Sequence, residues 1–168
     1  MPSPEAPETV SVVRALIDRG LTIAAAESLT GGLLTAELTS VPGASAVVLG
    51  GAVVYATELK HTLIGVDADL LAAEGPVHPE VARQLAAGVR TRLAVGGRPA
   101  DVGIATTGVA GPDPQGGRPV GTVYVGISSP NGTRAIGLEL AGDRDAIRRR
   151  TVEEAVRALA IELDITAG

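Results

Sequence analysis

Ser28 stands in the run Ala26-Glu27-Ser28-Leu29-Thr30-Gly31-Gly32, where an apolar stretch gives way to a helix-like pattern. A serine hydroxyl is a weak nucleophile until a neighbouring base takes its proton. The sequence has no cysteine and only two histidines, which leaves lysine as the base to look for. Lys60, in Val54-Tyr55-Ala56-Thr57-Glu58-Leu59-Lys60, follows a Val-rich run and can serve if burial brings its pKa toward about 7–8. Ser-Lys pairing recurs on unrelated folds. The plain alternatives are Ser28 as a helix N-cap and Lys60 as a solvated side chain on a short helix. His61 and His78 are expected in surface or capping roles.

Three further stretches offer binding chemistry. Thr30, Gly31 and Gly32 let backbone approach a ligand closely, and free N–H groups at a helix start suit an anion or a developing oxyanion. Thr106-Thr107-Gly108-Val109-Ala110-Gly111-Pro112 opens a Gly- and Pro-rich loop running to Pro119, and long loops in compact domains are usually functional. Gly142-Asp143-Arg144-Asp145 opens the last helix, which continues with Arg148, Arg149 and Arg150. Cations there oppose the positive end of the helix dipole. Asp143 and Asp145 offset part of that, a bound phosphate reached by Arg144 would offset the rest, and an exposed basic face is the alternative. Neither a GxGxxG fingerprint nor a GxxxxGK(S/T) loop is present.

The elements that must position these residues follow from apolar periodicity. Helices are predicted over Thr9 to Arg19, Leu29 to Ser40, Thr57 to Ile64, Asp69 to Ala73, Pro79 to Val95 and Asp143 to Leu163. In the fifth, Val81, Leu85, Val89 and Leu93 form the stripe of a helix packed on a sheet. Strands are predicted over Leu21 to Glu27, Ala46 to Tyr55, Asp101 to Thr107, Gly121 to Ser129 and Thr133 to Leu140. The last two flank a Pro130-Asn131-Gly132 hairpin turn. The alternation implies one three-layer α/β/α domain over residues 9–168, with a mixed, mainly parallel sheet of about five strands. Residues 1–8 read as a Pro-rich, acidic, disordered leader.

Composition narrows the partners. The 168 residues carry a net charge of −5 and 1% aromatic residues, whereas nucleic-acid binding wants a basic face and, for single strands, stacking platforms. Nucleic acid is therefore not the expected partner. No apolar run approaches the roughly 20 residues that span a bilayer, and the N-terminus lacks the signal-peptide pattern. The expectation is a cytoplasmic protein without membrane contact. With no cysteine, thiolate metal sites are excluded, and no metal or other cofactor is expected, with Mg²⁺ held by carboxylates beside a bound phosphate as the alternative.

Taken together, AESLTGG (Ala26 to Gly32), the Val41-to-Gly51 segment with its VPG turn and GG pair, VYATELK (Val54 to Lys60), TTGVAGP (Thr106 to Pro112), PVGTVYVGI (Pro119 to Ile127) and GDRDAIRRR (Gly142 to Arg150) resemble one family. It is the C-terminal domain of the competence/damage-inducible CinA proteins, which includes nicotinamide-nucleotide amidohydrolases. The resemblance implies an α/β/α layered domain, a homo-oligomer, and hydrolysis of nicotinamide mononucleotide to nicotinic acid mononucleotide and ammonia. It places the motif serine on Ser28, the motif lysine on Lys60 and the motif tyrosine on Tyr55. The substrate loop falls on Thr107 to Gly111, including Gly108 and Ala110, and the GDR arginine on Arg144. Leu29 stands where the family commonly has Cys, and Ala56-Thr57 replace a usual Ser-Asn pair. The rival reading is a non-catalytic nucleotide-binding or protein-interaction module linked to competence or DNA damage.

Overall fold

The computed structural model describes residues 7–165; residues 1–6 of the expected leader lie outside the described part. Helix α1 (Pro7–Arg19) begins at Pro7, two residues before the predicted start. Proline suits a first helical turn because its missing N–H has no partner there. Strand β1 (Ile23–Glu27) is followed by helix α2 (Leu33–Thr39), strand β2 (Val48–Val53), and helices α3 (Thr57–Thr62), α4 (Ala68–Glu74) and α5 (Pro79–Arg92). Strands β3 (Val102–Gly108), β4 (Thr122–Ser129) and β5 (Gly132–Glu139) complete the sheet before helix α6 (Arg144–Glu162).

The sheet order is β2-β1-β3-β4-β5. β1 pairs in parallel with β2 and β3, β3 with β4 and β4 with β5 are antiparallel, so β4 alone runs against the others. Alternate residues of β1 and β3 serve different cores. Ile23, Ala25, Val102 and Ile104 pack beneath α1, α2 and α6. Ala24, Ala26 and Ala105 face α5 with Val81, Leu85 and Val89, the stripe read from the sequence. A mixed sheet covered on both faces is thus observed.

The α5 face is built from small residues, and this sets how close the helix comes. A Cβ on Gly126 would lie 2.0 Å from the Ala82 carbonyl oxygen, and one on Gly103 2.0 Å from that of Ala86. Backbone meets backbone there with no flexible side chain to yield. Gly126→Ala is expected to cost about 3 kcal/mol by forcing α5 off the sheet. It would appear as a lowered urea midpoint at unchanged slope.

Most elements differ from their predicted bounds by up to three residues, and the largest departure is at α2. The helix expected from Leu29 begins only at Leu33, because Gly31 and Gly32 adopt φ of +56° and +105°, a left-handed conformation that no α-helix contains. Residues 28–32 form a turn instead. Ser28 is therefore not the N-cap of α2, which removes the plainer reading of that residue.

Candidate active site

The turn after β1 is held from below by Glu27. Its side chain is on the α2 face of the sheet and fully buried, and its carboxylate accepts from the backbone N–H groups of Gly32 (3.2 Å), Leu34 (2.9 Å) and Thr35 (2.9 Å) and from the Thr35 hydroxyl (2.6 Å). The free N–H groups at the start of α2 are thus occupied by the chain's own anion. The expected use of Gly31 and Gly32 as ligand donors changes accordingly. Gly32 donates to Glu27, and the Gly31 N–H donates to the Ser28 carbonyl oxygen at 3.0 Å.

From above, the turn is tied to β3. The Ser28 N–H donates to the Thr106 carbonyl oxygen at 3.1 Å, and the Thr30 and Thr106 hydroxyls lie 2.8 Å apart. What these bonds leave over is informative. Leu29 and Thr30 are both buried, yet among the described residues neither N–H has an acceptor. Both follow immediately after Ser28.

Lys60 reaches the same point from the other face. It lies on the short helix α3 but is only 1% exposed, with Nζ 3.1 Å from Ser28 Oγ, 2.7 Å from the Val54 carbonyl oxygen and 3.4 Å from that of Tyr55. Among the described residues no carboxylate pairs with it in a salt bridge. Burial therefore lowers its pKa to about 8. A neutral amine has two N–H donors and one lone pair. As the ammonium, Lys60 donates to the Ser28 hydroxyl and the two carbonyls; once neutral, its two N–H groups can stay on the carbonyls while the lone pair faces the Ser28 hydroxyl. A solvated surface lysine is excluded.

Ser28 and Lys60 open into a cavity of about 200 Å³. Thr107, Gly108, Ala110, Gly111, Tyr55 and Arg144 also line it, so most residues singled out from the sequence converge. Thr30, Gly31 and Gly32 are not in its lining but in the turn behind Ser28. Two roles differ in detail. The Tyr55 side chain is 60% exposed at the mouth, and its hydroxyl accepts from Arg144 Nη2 at 3.0 Å rather than contacting Lys60. The Thr107 hydroxyl is committed to the Pro76 carbonyl oxygen at 2.7 Å, so this residue shapes the wall.

Arg144 is held by the Gly111 carbonyl oxygen (2.6 Å) as well as by Tyr55, leaving other guanidinium N–H groups for a ligand. Asp143 caps α6 by accepting from the Ala146 N–H at 2.9 Å. His78 likewise caps α5, accepting from the Glu80 N–H at 3.1 Å, while His61 is exposed and hydrogen-bonded to the Val66 carbonyl. Sequence reasoning missed Pro76, Val77, Asp113 and Gln115 as cavity walls. A Pro-flanked connection at 75–79 and a loop at 111–119 have no periodicity from which orientation could be read. It also missed Glu27, whose place beside a helix start was the available signal.

The family model described as CinA C-terminal domain matches residues 6–163. A CinA-like protein of Frankia casuarinae is 52% identical over 145 residues, covering 86% of this chain and 32% of the relative. Another from Anaeromyxobacter sp. strain K is 46% identical over 162 residues, covering 95% of this chain and 38% of the relative. The chain thus spans about a third of the length of these curated relatives. Among solved structures, a competence-damaged protein (CinA) superfamily protein from Klebsiella pneumoniae superposes with a TM-score of 0.88 at 31% identity, covering 96% of this chain and 99% of that one. A competence/damage-inducible protein from Agrobacterium tumefaciens gives 0.83 at 32% identity, with the same coverage.

Proposed function

The chain belongs to the CinA C-terminal domain family, and from that premise we propose that it hydrolyses the carboxamide of nicotinamide mononucleotide to nicotinic acid mononucleotide and ammonia. The observation that carries the reading is the buried Ser28–Lys60 contact at 3.1 Å, with the lysine pKa lowered to about 8 and, among the described residues, no carboxylate paired with it.

The Ser28 hydroxyl attacks the carboxamide carbon while the Lys60 lone pair takes its proton. The tetrahedral oxyanion is met by the N–H of Leu29, which lines the cavity and has no acceptor among the described residues. Such a donor is worth roughly 2.7–4 kcal/mol in comparable sites. Protonated Lys60 then gives its proton to the departing nitrogen, the C–N bond breaks and ammonia leaves. Water, deprotonated by the again neutral Lys60, cleaves the Ser28 ester and releases the carboxylate product. The Tyr55 ring lies beside the pyridine at the mouth, and Arg144 takes the phosphate. Every step uses groups of this chain, and the substrate supplies the nucleotide.

The test is ammonia release from nicotinamide mononucleotide by wild type, Ser28→Ala and Lys60→Ala. Turnover by wild type is expected, with a fall of about 10⁴-fold or more in both variants. Binding of the nucleotide by wild type without turnover would overturn the proposal in favour of a non-catalytic nucleotide-binding module.

A further inference from the structure

Arg148 lies in the second turn of α6, among three consecutive arginines that charge patterning assigns to an exposed face or a phosphate site. Its side chain does neither. Nε donates to the Leu29 carbonyl oxygen at 2.9 Å and Nη2 to that of Thr30 at 3.4 Å, across 119 and 118 residues of chain. Both acceptors belong to the turn that follows Ser28. A Cβ on Gly31 would lie 3.3 Å from Arg148 Nη2, so a glycine there gives the guanidinium room as well as meeting the φ of +56°.

The consequence follows from peptide geometry. A trans peptide points its C=O and N–H in opposite directions, and the Leu29 carbonyl shares its peptide with the Thr30 N–H. Drawing that carbonyl toward α6 therefore turns the Thr30 N–H the other way. The preceding peptide is fixed in the same sense, because the Ser28 carbonyl accepts from Gly31 and leaves the Leu29 N–H free. A permanently charged donor on one end of a peptide also strengthens the dipole at its other end. We propose that Arg148 is a positioning residue that orients and polarises the Leu29–Thr30 peptide, and so holds the turn from which the Leu29 N–H, at the cavity wall beside Ser28, meets the reacting oxygen. This rests on the amidohydrolase reading given above for the identity of that oxygen.

The experiment uses the full chain as wild type, Arg148→Met and Arg148→Lys. The Thr30 amide proton is followed by two-dimensional NMR, and kcat and KM are measured on nicotinamide mononucleotide. In Arg148→Met the Thr30 resonance is expected to move upfield and kcat to fall about 10- to 100-fold, with KM changed by less than about twofold. Arg148→Lys, which keeps the charge but not the fork, should lie between the two. A merely structural arginine would instead lower the urea midpoint and leave kcat of the folded fraction alone. A Thr30 resonance and kcat both unchanged in Arg148→Met overturn the inference, as they do in Arg148→Lys should the Met variant not fold. No turnover by wild type would count against the functional reading only, because the Thr30 resonance still reports on the peptide.

Discussion

Lys60→Met is expected to lower turnover of nicotinamide mononucleotide, on the proposed mechanism, by about 10⁴-fold while the protein stays folded. Methionine matches the unbranched, apolar stem of lysine and lacks the terminal amine, so the stem's packing is largely kept. The pH dependence of the wild type follows from the same group. The proposed base works when neutral, and burial lowers the Lys60 pKa to about 8. Activity is therefore expected to rise about tenfold per pH unit below 8 and to level off above it.

Stability carries the complementary signature. In the unfolded chain the lysine titrates near 10.5, so between about 8 and 10.5 the unfolded state holds more protons than the folded one. Below 8 both states are protonated and the folded state bears the whole cost of a buried charge. Above 10.5 both are neutral and the cost is gone. Urea titrations should show wild type gaining about 3 kcal/mol relative to Lys60→Met across that window. A constant difference between the two proteins would mean that the amine is not desolvated.

The second large effect concerns Glu27, which touches no substrate. Its carboxylate receives three backbone N–H groups and one hydroxyl in a fully buried setting. Glu27→Gln exchanges one acceptor oxygen for an NH₂ facing donors, and leaves at least one of them unsatisfied out of reach of water. The expected loss is about 3–5 kcal/mol, read from urea unfolding at pH 7. Activity of the folded fraction should fall as well, since Ser28 is the next residue and its turn leans on this anchor. An unchanged midpoint would show that α2 does not need the cap.

These two residues also mark what the sequence does and does not disclose. The strands were legible because each is a short apolar run bounded by Gly, Pro or a charge. The α5 stripe was legible because Val81, Leu85 and Val89 recur at helical spacing. Ser28 and Lys60 were legible as a pair because the absence of cysteine and scarcity of histidine left few other combinations. The start of α2 was not, since a Gly-Gly pair beside good helix formers leaves open whether the glycines join the helix or turn left-handed. The tertiary tie of Ser28 and Thr30 to Thr106 decided it.

Roles defined by a distant partner were least legible. Arg148 sits between Ile147 and Arg149, and nothing local distinguishes it from Arg149, which is exposed and pairs with Asp145. Only the packing of α6 over the Ser28 turn separates the two. Tyr55 lines the cavity, but its hydroxyl bond to Arg144 joins residues 89 apart and has no sequence signal. The N–H groups without an acceptor among the described residues are those of Leu29 and Thr30, where the sequence pointed to Thr30 and Gly31. That difference comes from a single backbone bond, Gly31 N–H to the Ser28 carbonyl.

The nucleophile itself is the most exposed point of the account. Wild type mixed with nicotinamide mononucleotide, acid-quenched within one turnover and digested, should yield the Ser28 peptide carrying the nicotinate mononucleotide acyl group, formed together with one equivalent of ammonia. Ser28→Ala should form neither. Ammonia released by Ser28→Ala at the wild-type rate would contradict the account, because water would then be attacking the carboxamide without help from the side chain to which the chemistry is assigned.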